Sequence, residues 1–403
     1  MPAQDLSLTF SGAVEEPLFE GGGLPARVLH LNAGNLYGGV ESMLTTFASM
    51  RHLCPGMEPH FATCFEGRSS RELVEAGVPV HVLGPVRMSR PWTMWRARRR
   101  LRKLLQAERF DLVICHMDWT LAVFSKVASA AGNRVALWAH GWQTRENWLG
   151  RMARRLKPDL AIANSRFTEA KIRERFPTTP VRVIYCPVAL VEYPESDKWR
   201  AALRQEHELD DATTVVLQVS RLEPWKGQAA LLQALAMLKT KGKWACWIVG
   251  GPQSGAEEAY FLEIQETARR LGLEGRVRFL GQRSDVPKLL AASDVYCQPN
   301  QAPEPFGLAF VEAMWAGRPV ISSALGGALE IVDPTCGLLV PPNDPEGLAA
   351  ALDRLIDSPE LRRKLGSAGV GRARELCDPG SQLNKLKELA RELAGSGEGA
   401  AGA

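Results

Sequence analysis

Short apolar runs alternate with helix-length segments along almost the whole chain, and this alternation constrains the fold more than any other feature. Near-continuous apolar strands separated by helices are typical of a parallel sheet covered by helices on both faces. The strand-like runs are residues 27–32, 111–116, 135–140, 160–163, 181–186, 213–220, 244–250, 277–281, 294–299, 319–323 and 337–340. The chain is therefore predicted to be an α/β protein.

The pattern weakens in residues 187–208, a polar stretch with two prolines that we interpret as a hinge. A chain of 403 residues is long enough for two domains. We predict two doubly wound Rossmann-like domains, residues 26–190 and 191–378, that face each other across a cleft. A C-terminal helix, residues 379–394, is expected to return to the first domain. Residues 1–25 are predicted to be a flexible tail and residues 395–403 a disordered tail.

The composition excludes several classes of protein. A net charge of +4 and an apolar content of 45% are ordinary for a globular protein and give no indication of nucleic-acid binding. The eight cysteines contain no Cys-x-x-Cys pair, so we expect buried thiols and neither a disulfide framework nor a zinc site. No apolar run reaches the roughly 20 residues that span a bilayer. We expect a cytoplasmic protein.

Two carboxylates, Glu304 and Glu312, flank a helix start at Phe306-Gly307 that follows an apolar strand. A helix N-terminus offers unpaired N–H groups and partial positive charge to an anion. The carboxylates can accept hydrogen bonds from hydroxyl groups beside that anion. The arrangement favours a pocket for a sugar that carries a diphosphate. The alternative is a solvated helix start with an acid near its positive end.

Two cations, Arg221 and Lys226, bracket the turn that follows the first strand of the second half. Arginine can bond a diphosphate in a fork, while lysine supplies a point charge. They could also balance the charge of a departing nucleotide. The alternative is a surface salt bridge, for which Glu223 is an available partner.

Small or polar residues end several strands of the first half. Gly38-Gly39 lets the backbone approach a ligand closely, but it is not the G-x-G-x-x-G pattern, which disfavours a nicotinamide cofactor. His116 and His140 end two strands, and a histidine in such a place is often structural. Asn164-Ser165 is predicted to cap the helix that follows it.

Together these residues resemble the retaining glycosyltransferases of family 4, which have the GT-B fold. The matching pieces lie between about Arg27 and Leu393. They are Gly38-Gly39-Val40-Glu41, His140-Gly141, Asn164-Ser165, Ser220-Arg221, Lys226-Gly227, Phe279-Leu280-Gly281 and Glu304 with Glu312. The resemblance implies a hexosyltransferase that uses a UDP- or GDP-linked sugar and a hydroxyl acceptor. It implies no metal, and the chain has no D-x-D triplet.

The resemblance also implies roles for side chains at the site. Arg221 and Lys226 would hold the diphosphate, and Glu312 would bond the ribose. Glu304 would bond a hydroxyl of the transferred sugar, and His140 would orient that sugar near its anomeric carbon.

Backbone groups complete the implied donor site. They would bond the sugar and phosphate at Phe306, Gly307 and Leu308, and the base near Arg283. Gly38 and Gly39 would approach the phosphate from the first domain.

A basic stretch, residues 87–109, holds nine Lys or Arg residues with Trp92 and Trp95. Tryptophan beside Lys or Arg on a helix can lie at an anionic membrane surface. The stretch indicates either peripheral binding at the inner face of the membrane, with a lipid-linked acceptor, or a solvated basic face of a packed helix.

Two other functions are compatible with the pattern. A nucleotide-sugar epimerase shares the two-domain architecture, but such enzymes lack the combination of Arg221 and Lys226 with Glu304 and Glu312. A nucleotide-sugar-binding protein without catalytic activity would differ only in what it does after binding.

Overall fold

The computed structural model describes residues 24–34, 38–141, 148–189 and 195–398, which form two parallel sheets. The first sheet has seven strands in the order β3-β2-β1-β4-β5-β6-β7, and the second has six in the order β10-β9-β8-β11-β12-β13. In each sheet the earliest strand lies inside and the chain winds outward in both directions. This is the doubly wound α/β architecture that the sequence predicts, and it occurs twice.

The first domain alternates strands and helices in the expected way. Its strands are β1 (Ala26–Asn32), β2 (Met57–Thr63), β3 (Val80–Val82), β4 (Leu112–His116), β5 (Val135–Ala139), β6 (Leu160–Ala163) and β7 (Val181–Val183). Its helices are α1 (Gly39–Ser49), α2 (Arg68–Glu75), α3 (Pro91–Ala107), α4 (Met117–Ala130), α5 (Trp148–Arg154) and α6 (Arg166–Arg175), with a short 3₁₀ turn at Arg51–Leu53.

The second domain begins with a helix and ends with three. Its strands are β8 (Thr214–Val219), β9 (Trp244–Val249), β10 (Val277–Gly281), β11 (Val295–Gln298), β12 (Val320–Ser323) and β13 (Gly337–Val340). The helices from α7 onward are α7 (Ser196–Glu206), α8 (Gln228–Ala236), α9 (Gly255–Arg270), α10 (Val286–Ala292), α11 (Leu308–Trp315), α12 (Ala328–Ile331), α13 (Pro345–Asp357), α14 (Pro359–Cys377) and α15 (Pro379–Glu398), with a 3₁₀ turn at Pro224–Lys226.

The central strands are buried on both faces, which explains why the sequence shows them as apolar runs. Every residue of β4, β5 and β9 is buried. β2 and β3 were absent from the predicted strands because Glu58, Pro59, His60 and His81 interrupt their apolar pattern. All eight cysteines are buried and unpaired, as their place in apolar segments predicts.

The polar stretch that we interpreted as a hinge contains a helix, α7. Its arginines misled the prediction because they are not solvated. Arg204 is 2% exposed, and it donates to the Ala292 carbonyl and to Asp294, each at 3.3 Å. Arg200 bonds the other oxygen of Asp294 at 2.8 Å. Residues 190–194, inside the predicted hinge, lie outside the described residues.

The last helix, α15, returns to the first domain, as predicted. Leu383, Leu386 and Ala390 on this helix are fully buried, and it lies against α1, β1 and β4. The helix continues to Glu398, so the predicted disordered tail starts too early. Glycine lowers helix propensity by only about 1 kcal/mol per residue, which does not end a helix that is anchored over its length. Most of both predicted tails, residues 1–23 and 399–403, lies outside the described residues.

A cleft between the two sheets

A cleft of about 380 Å³ lies between the domains, at the carboxyl ends of their strands. Ligands of open α/β sheets bind at these strand ends. Both domains and the segment that joins them supply lining residues. They are Ser42, Thr46, Arg68, Pro187, Val188, Ala189, Gln282, Arg283, Ser284, Val286, Pro287, Leu290, Leu308, Glu312 and Trp315.

Two of the predicted site residues bond directly to each other. The Nζ of Lys226 lies 2.6 Å from Oε2 of Glu304, and both side chains are largely buried. Gln298, the last residue of β11, and Asn300, two residues further on, donate to the same carboxylate oxygen at 3.3 and 3.2 Å. Lys226 also stands 4.0 Å from the centre of the Trp225 ring. The positive charge of Lys226 and the negative charge of Glu304 therefore compensate each other.

Arg221 lies in the same turn but is directed toward α9. It forms a short ion pair with Glu257 and a second pair with Glu223 at 3.4 Å. Burial alone would raise the pKa of Glu257, but hydrogen bonds from the Gln253 backbone and from Arg221 outweigh it, and the pKa is lowered. The salt-bridge alternative for Arg221 is thus realised in this structure, although its side chain is still 43% exposed.

Glu312 stands one helical turn into α11, on the wall of the cleft. Among the described residues no side chain pairs with its carboxylate, and burial raises its pKa. A carboxylate in such a place is costly unless a donor reaches it. The side chain is half-buried, so its oxygens can accept hydrogen bonds from water or from a ligand.

The N-terminus of α11 meets the first domain closely. Gly307 caps the helix with φ of 108°, and a Cβ there would lie 2.3 Å from the ring of Phe310, so glycine is required. Across the cleft, a Cβ on Gly39 would lie 3.0 Å from the Leu308 side chain. The structure therefore brings Gly39 against Leu308, while Phe306 is buried just behind them.

Gly38 ends the loop before α1, and its N–H donates to Glu41 at 3.0 Å. The other carboxylate oxygen of Glu41 accepts from Asn32 at 3.0 Å. Glu41 therefore ties the first turn of α1 to the end of β1. These two hydrogen bonds hold Gly38 and Gly39 in place where α1 faces the second domain. Residues 35–37, which precede this turn, lie outside the described residues.

His140 follows β5 and faces the second domain. A Cβ on its neighbour Gly141 would lie 3.3 Å from Pro305, the residue after Glu304. The Nε2 of His140 lies 2.8 Å from Nδ1 of His116. Burial lowers the pKa of His140 to about 3, so its ring is neutral near pH 7.

Arg283 lies on the cleft wall, two residues after the end of β10. Its Nε and one of its terminal nitrogens donate to the two carboxylate oxygens of Asp285, each at 2.8 Å. This pair raises the pKa of Arg283. The side chain is therefore occupied by Asp285, and the neighbouring backbone remains the group that the prediction assigns to a base.

The two domains are joined by hydrogen bonds that the sequence did not reveal. Ser165 caps α6 by accepting from the Thr168 N–H at 3.0 Å, as predicted, but it also donates to the Pro305 carbonyl at 2.6 Å. Glu330 of the second domain accepts from the Arg166 N–H at 2.8 Å and forms a short bond with the Tyr185 hydroxyl. A capping signal was visible in the sequence, whereas its second partner depends on the domain arrangement.

Within the part of the chain that the structure describes, one group of side chains has metal-ligand spacing: His60, His81 and Glu108. It lies on β2, β3 and the residue after α3. Arg27 already bonds Glu108 at 2.7 Å and stands 3.1 Å from His60. A guanidinium on the same carboxylate oxygen competes with a cation, so we assign no metal to this group.

Two family models match the chain. Residues 200–372 match the one described as Glycosyl transferases group 1, and residues 37–192 match Glycosyltransferase Family 4. The D-inositol 3-phosphate glycosyltransferase of Salinispora tropica is 29% identical over 67% of this chain and 57% of that protein. Its namesake in Streptomyces scabiei is 31% identical over 67% of this chain and 60% of that protein. The match thus spans less than two thirds of these relatives.

Solved structures share the architecture over almost the whole chain. Anabaena Alr3699/HepE in complex with UDP and glucose is 26% identical, with a TM-score of 0.79 over 91% of this chain and 100% of that chain. Sucrose-phosphate synthase from Thermosynechococcus elongatus is 21% identical, with a TM-score of 0.77 over 92% of this chain and 100% of that chain. The second likeness concerns the fold alone.

Proposed function

The chain belongs to the family-4 glycosyltransferases of GT-B fold, and we propose that it moves a hexose-type sugar from a nucleotide diphosphate sugar to a hydroxyl acceptor. The observation that carries the proposal is Glu312. It is a half-buried acid without a protein partner in the described residues, and it lies on the wall of a cleft that both domains line. Ribose hydroxyls are donors that fit this carboxylate.

The donor is proposed to lie along the edge of the second domain. Its diphosphate would reach the N-terminus of α11, where the N–H groups of Leu308 and its neighbour begin the helix, with Lys226 on the other side. The base would meet the backbone at Arg283. UDP is favoured over GDP because Alr3699/HepE is in complex with UDP and glucose.

Binding of the sugar would exchange partners within the Lys226–Glu304 pair. A sugar hydroxyl would donate to Glu304, while the diphosphate would draw Lys226 toward its own charge. Arg221 would join it by leaving Glu223, the longer of its two ion pairs. The diphosphate would thus replace the acids as the partner of the two cations, and the sugar hydroxyl would replace Lys226 as a partner of Glu304.

Transfer is proposed to retain the anomeric configuration and to need no metal. The bond from the anomeric carbon to the diphosphate oxygen breaks as the acceptor oxygen forms its bond on the same face. The acceptor proton passes to a phosphate oxygen of the leaving nucleotide diphosphate. Lys226, Arg221 and the α11 N-terminus would stabilise the negative charge that develops there. No protein nucleophile is required.

The acceptor is proposed to be a glycan, a lipid-linked molecule or a small molecule that enters from the first domain. The two relatives compared above are D-inositol 3-phosphate glycosyltransferases, which supports a small phosphorylated polyol as one of the acceptors to test.

The surface of helix α3 supports the proposal that the enzyme is cytoplasmic and binds the inner face of the membrane. A lipid-linked acceptor would be available there. Trp92 and Trp95 are 55% and 60% exposed, and they share one face of α3 with Arg96 and Arg99. Arg99 stands 5.6 Å from the Trp95 ring. Two tryptophans beside arginines suit the interface of an anionic bilayer. No helix in the described part of the chain is long and apolar enough to cross a membrane.

A thermal-shift screen of nucleotides and nucleotide sugars tests the donor proposal first. A ligand that binds only the native state raises the apparent Tm by mass action. We expect UDP and UDP-sugars to raise the Tm of the wild type and to do so less in Glu312→Gln. Product analysis with UDP-glucose and myo-inositol 3-phosphate should then show a glycoside and UDP.

Three results would contradict the proposal. A lack of any nucleotide-dependent shift would remove the donor site. An epimerised nucleotide sugar formed without acceptor would favour an epimerase. Tight binding with no turnover on any acceptor would favour a binding protein.

Co-sedimentation with vesicles tests the membrane proposal separately. We expect binding to vesicles that contain phosphatidylglycerol, lost in high salt and reduced in the double variant Trp92→Ala, Trp95→Ala. A matched control is Trp119→Phe, which replaces a partly buried ring of α4 that packs against Phe124. Equal binding by all three proteins, or none by the wild type, would remove the membrane proposal and leave the donor site untouched.

A further inference from the structure

Three histidines form a continuous hydrogen-bonded row that ends at His140, beside the point where Gly141 approaches Pro305 of the second domain. The Nδ1 of His30 lies 2.9 Å from Nε2 of His116, and Nδ1 of His116 lies 2.8 Å from Nε2 of His140. Successive rings are nearly parallel, with centroids 5.2 and 5.1 Å apart.

The strand register produces this row. His30 on β1 pairs with Ile114 on β4, and His116 stands two residues further along β4. His116 pairs with Trp138 on β5, and His140 stands two residues further again. Each step moves one strand across and two residues toward the carboxyl edge. A step of two residues keeps all three side chains on one face of the sheet.

The row is buried at its inner end. His30 is 0% exposed and His116 is 1% exposed, and His30 lies between the rings of Phe47 and Phe61. Burial lowers the pKa of His30 to about 3, and burial followed by the neighbouring histidines lowers that of His116 well below its usual range. All three rings are therefore neutral near pH 7, and each carries a single N–H.

Single protons allow only two arrangements of the row. Each contact needs one N–H and one bare nitrogen, so all three rings carry the proton on Nδ1 or all three carry it on Nε2. The Nε2 of His30 is buried and has no partner among the described residues. With protons on Nε2, that atom would be an unpaired buried donor. With protons on Nδ1, it is only an unpaired acceptor, which proteins tolerate better.

We propose that His30 and His116 are positioning residues that hold His140 as the neutral tautomer protonated on Nδ1, so that His140 presents a fixed hydrogen-bond donor to an oxygen of the bound sugar. The role toward the sugar rests on the proposed function, whereas the tautomer does not. His140 is then neither an acid nor a base in transfer. Its lone pair is occupied by His116, and its proton serves as an oriented dipole.

The tautomer can be measured without any substrate. In protein labelled with ¹⁵N-histidine, the protonated and bare nitrogens of a neutral imidazole resonate far apart, and their couplings to the ring protons identify each atom. We expect the signals of His30, His116 and His140, assigned by single substitution, to report a proton on Nδ1 at pH 7.5. A proton on Nε2 of His140 in the wild type would overturn the proposal.

Two substitutions of the middle ring test its effect on transfer. His116→Asn places an amide N–H near the position of Nδ1 and can still donate to His140, while His116→Phe fills the space without a donor. We expect kcat to fall by about tenfold in His116→Phe, the equivalent of one lost hydrogen bond, and by less than about threefold in His116→Asn. His140 should lose its single tautomer only in the phenylalanine variant.

The controls separate this proposal from the proposed function. His52→Asn changes an exposed histidine and should alter neither kcat nor the other signals. Equal kcat in His116→Phe and the wild type, or a larger loss in His116→Asn than in His116→Phe, would overturn the positioning role. If no sugar is transferred but the tautomers are as expected, the proposed function fails and the row stands.

Discussion

The two walls of the cleft are built on opposite principles. The wall from the first domain ends in a row of neutral histidines whose hydrogen bonds are already made. The wall from the second domain is charged, and its cation and acid are paired with each other at 2.6 Å. One wall needs no rearrangement to meet a ligand, whereas the other has to exchange partners.

The two walls differ in the free energy that it costs to hold their polar groups in place before the donor binds. A neutral row in a buried sheet carries no charge that water would otherwise solvate, so it costs little to keep in place. A buried ion pair costs desolvation that only close geometry offsets. A diphosphate and a sugar hydroxyl can replace both halves of the Lys226–Glu304 pair, so the pair keeps each group in position until the donor arrives.

The largest effect is expected from breaking the charged wall. Lys226→Ala and Glu304→Ala should each lower kcat by about a thousandfold, because each removes a charged contact to the reacting groups. The fold should persist in Lys226→Ala since Gln298 and Asn300 still donate to Glu304. Steady-state kinetics with circular dichroism as a check of folding measures both.

Lys243→Ala is the matched control for this prediction. Lys243 also pairs with an acid, Asp210, but the two side chains are 69% and 48% exposed. Exposed pairs contribute little to stability, so this variant should behave as the wild type. Activity near the wild-type level in either Lys226→Ala or Glu304→Ala would remove that residue from the site.

A second, intermediate effect concerns the unpaired acid, Glu312. Burial raises the pKa of its carboxyl, so the folded protein holds that proton more tightly than the unfolded chain does. The stabilisation is complete below the unfolded pKa near 4.5 and is lost as the pH rises through the raised value. At pH 8 the wild type therefore carries a half-buried charge that Glu312→Gln lacks.

The glutamine variant should thus be more stable and less functional. We expect its Tm at pH 8 to exceed that of the wild type by about 2 °C, with the difference vanishing near pH 4. Its Kd for UDP should rise at least about tenfold. Glu258→Gln, at an exposed position of α9, should show neither change. A Glu312→Gln variant that loses stability at pH 8 would mean that the carboxylate has a partner after all.

Much of the fold was predictable because burial on both faces leaves a clear apolar signal, as in β4, β5 and β9. The signal failed where polar residues are buried in pairs. Arg204 looked solvated but is held by Asp294, which hid α7. His60 and His81 interrupted two strands in a similar way, because His60 is buried in the sheet with a half-buried His81 as its hydrogen-bond partner.

The sequence predicted the candidate site as single residues and not as bonded pairs. The sequence indicated Lys226 and Glu304 as members of one pocket, although nothing in their spacing says that they bond each other. His116 was left open as structural or functional, and His30 was not singled out. The row appears only when the register of β1, β4 and β5 is known, since it depends on which residues stand opposite each other.

The smallest effect is expected where the two walls are joined. Ser165→Ala removes the bond to the Pro305 carbonyl, next to Glu304, and with it the cap of α6. The loss of a cap costs about 1 kcal/mol, and Ser358→Ala, which removes the cap of α14 alone, should match that loss of stability. Only Ser165→Ala should also raise the KM for the donor, by about threefold, because the Pro305 carbonyl then keeps only the longer bond from the Thr168 hydroxyl, at 3.3 Å. If both variants change stability alone, the loop that carries Glu304 keeps its geometry without the bond from Ser165.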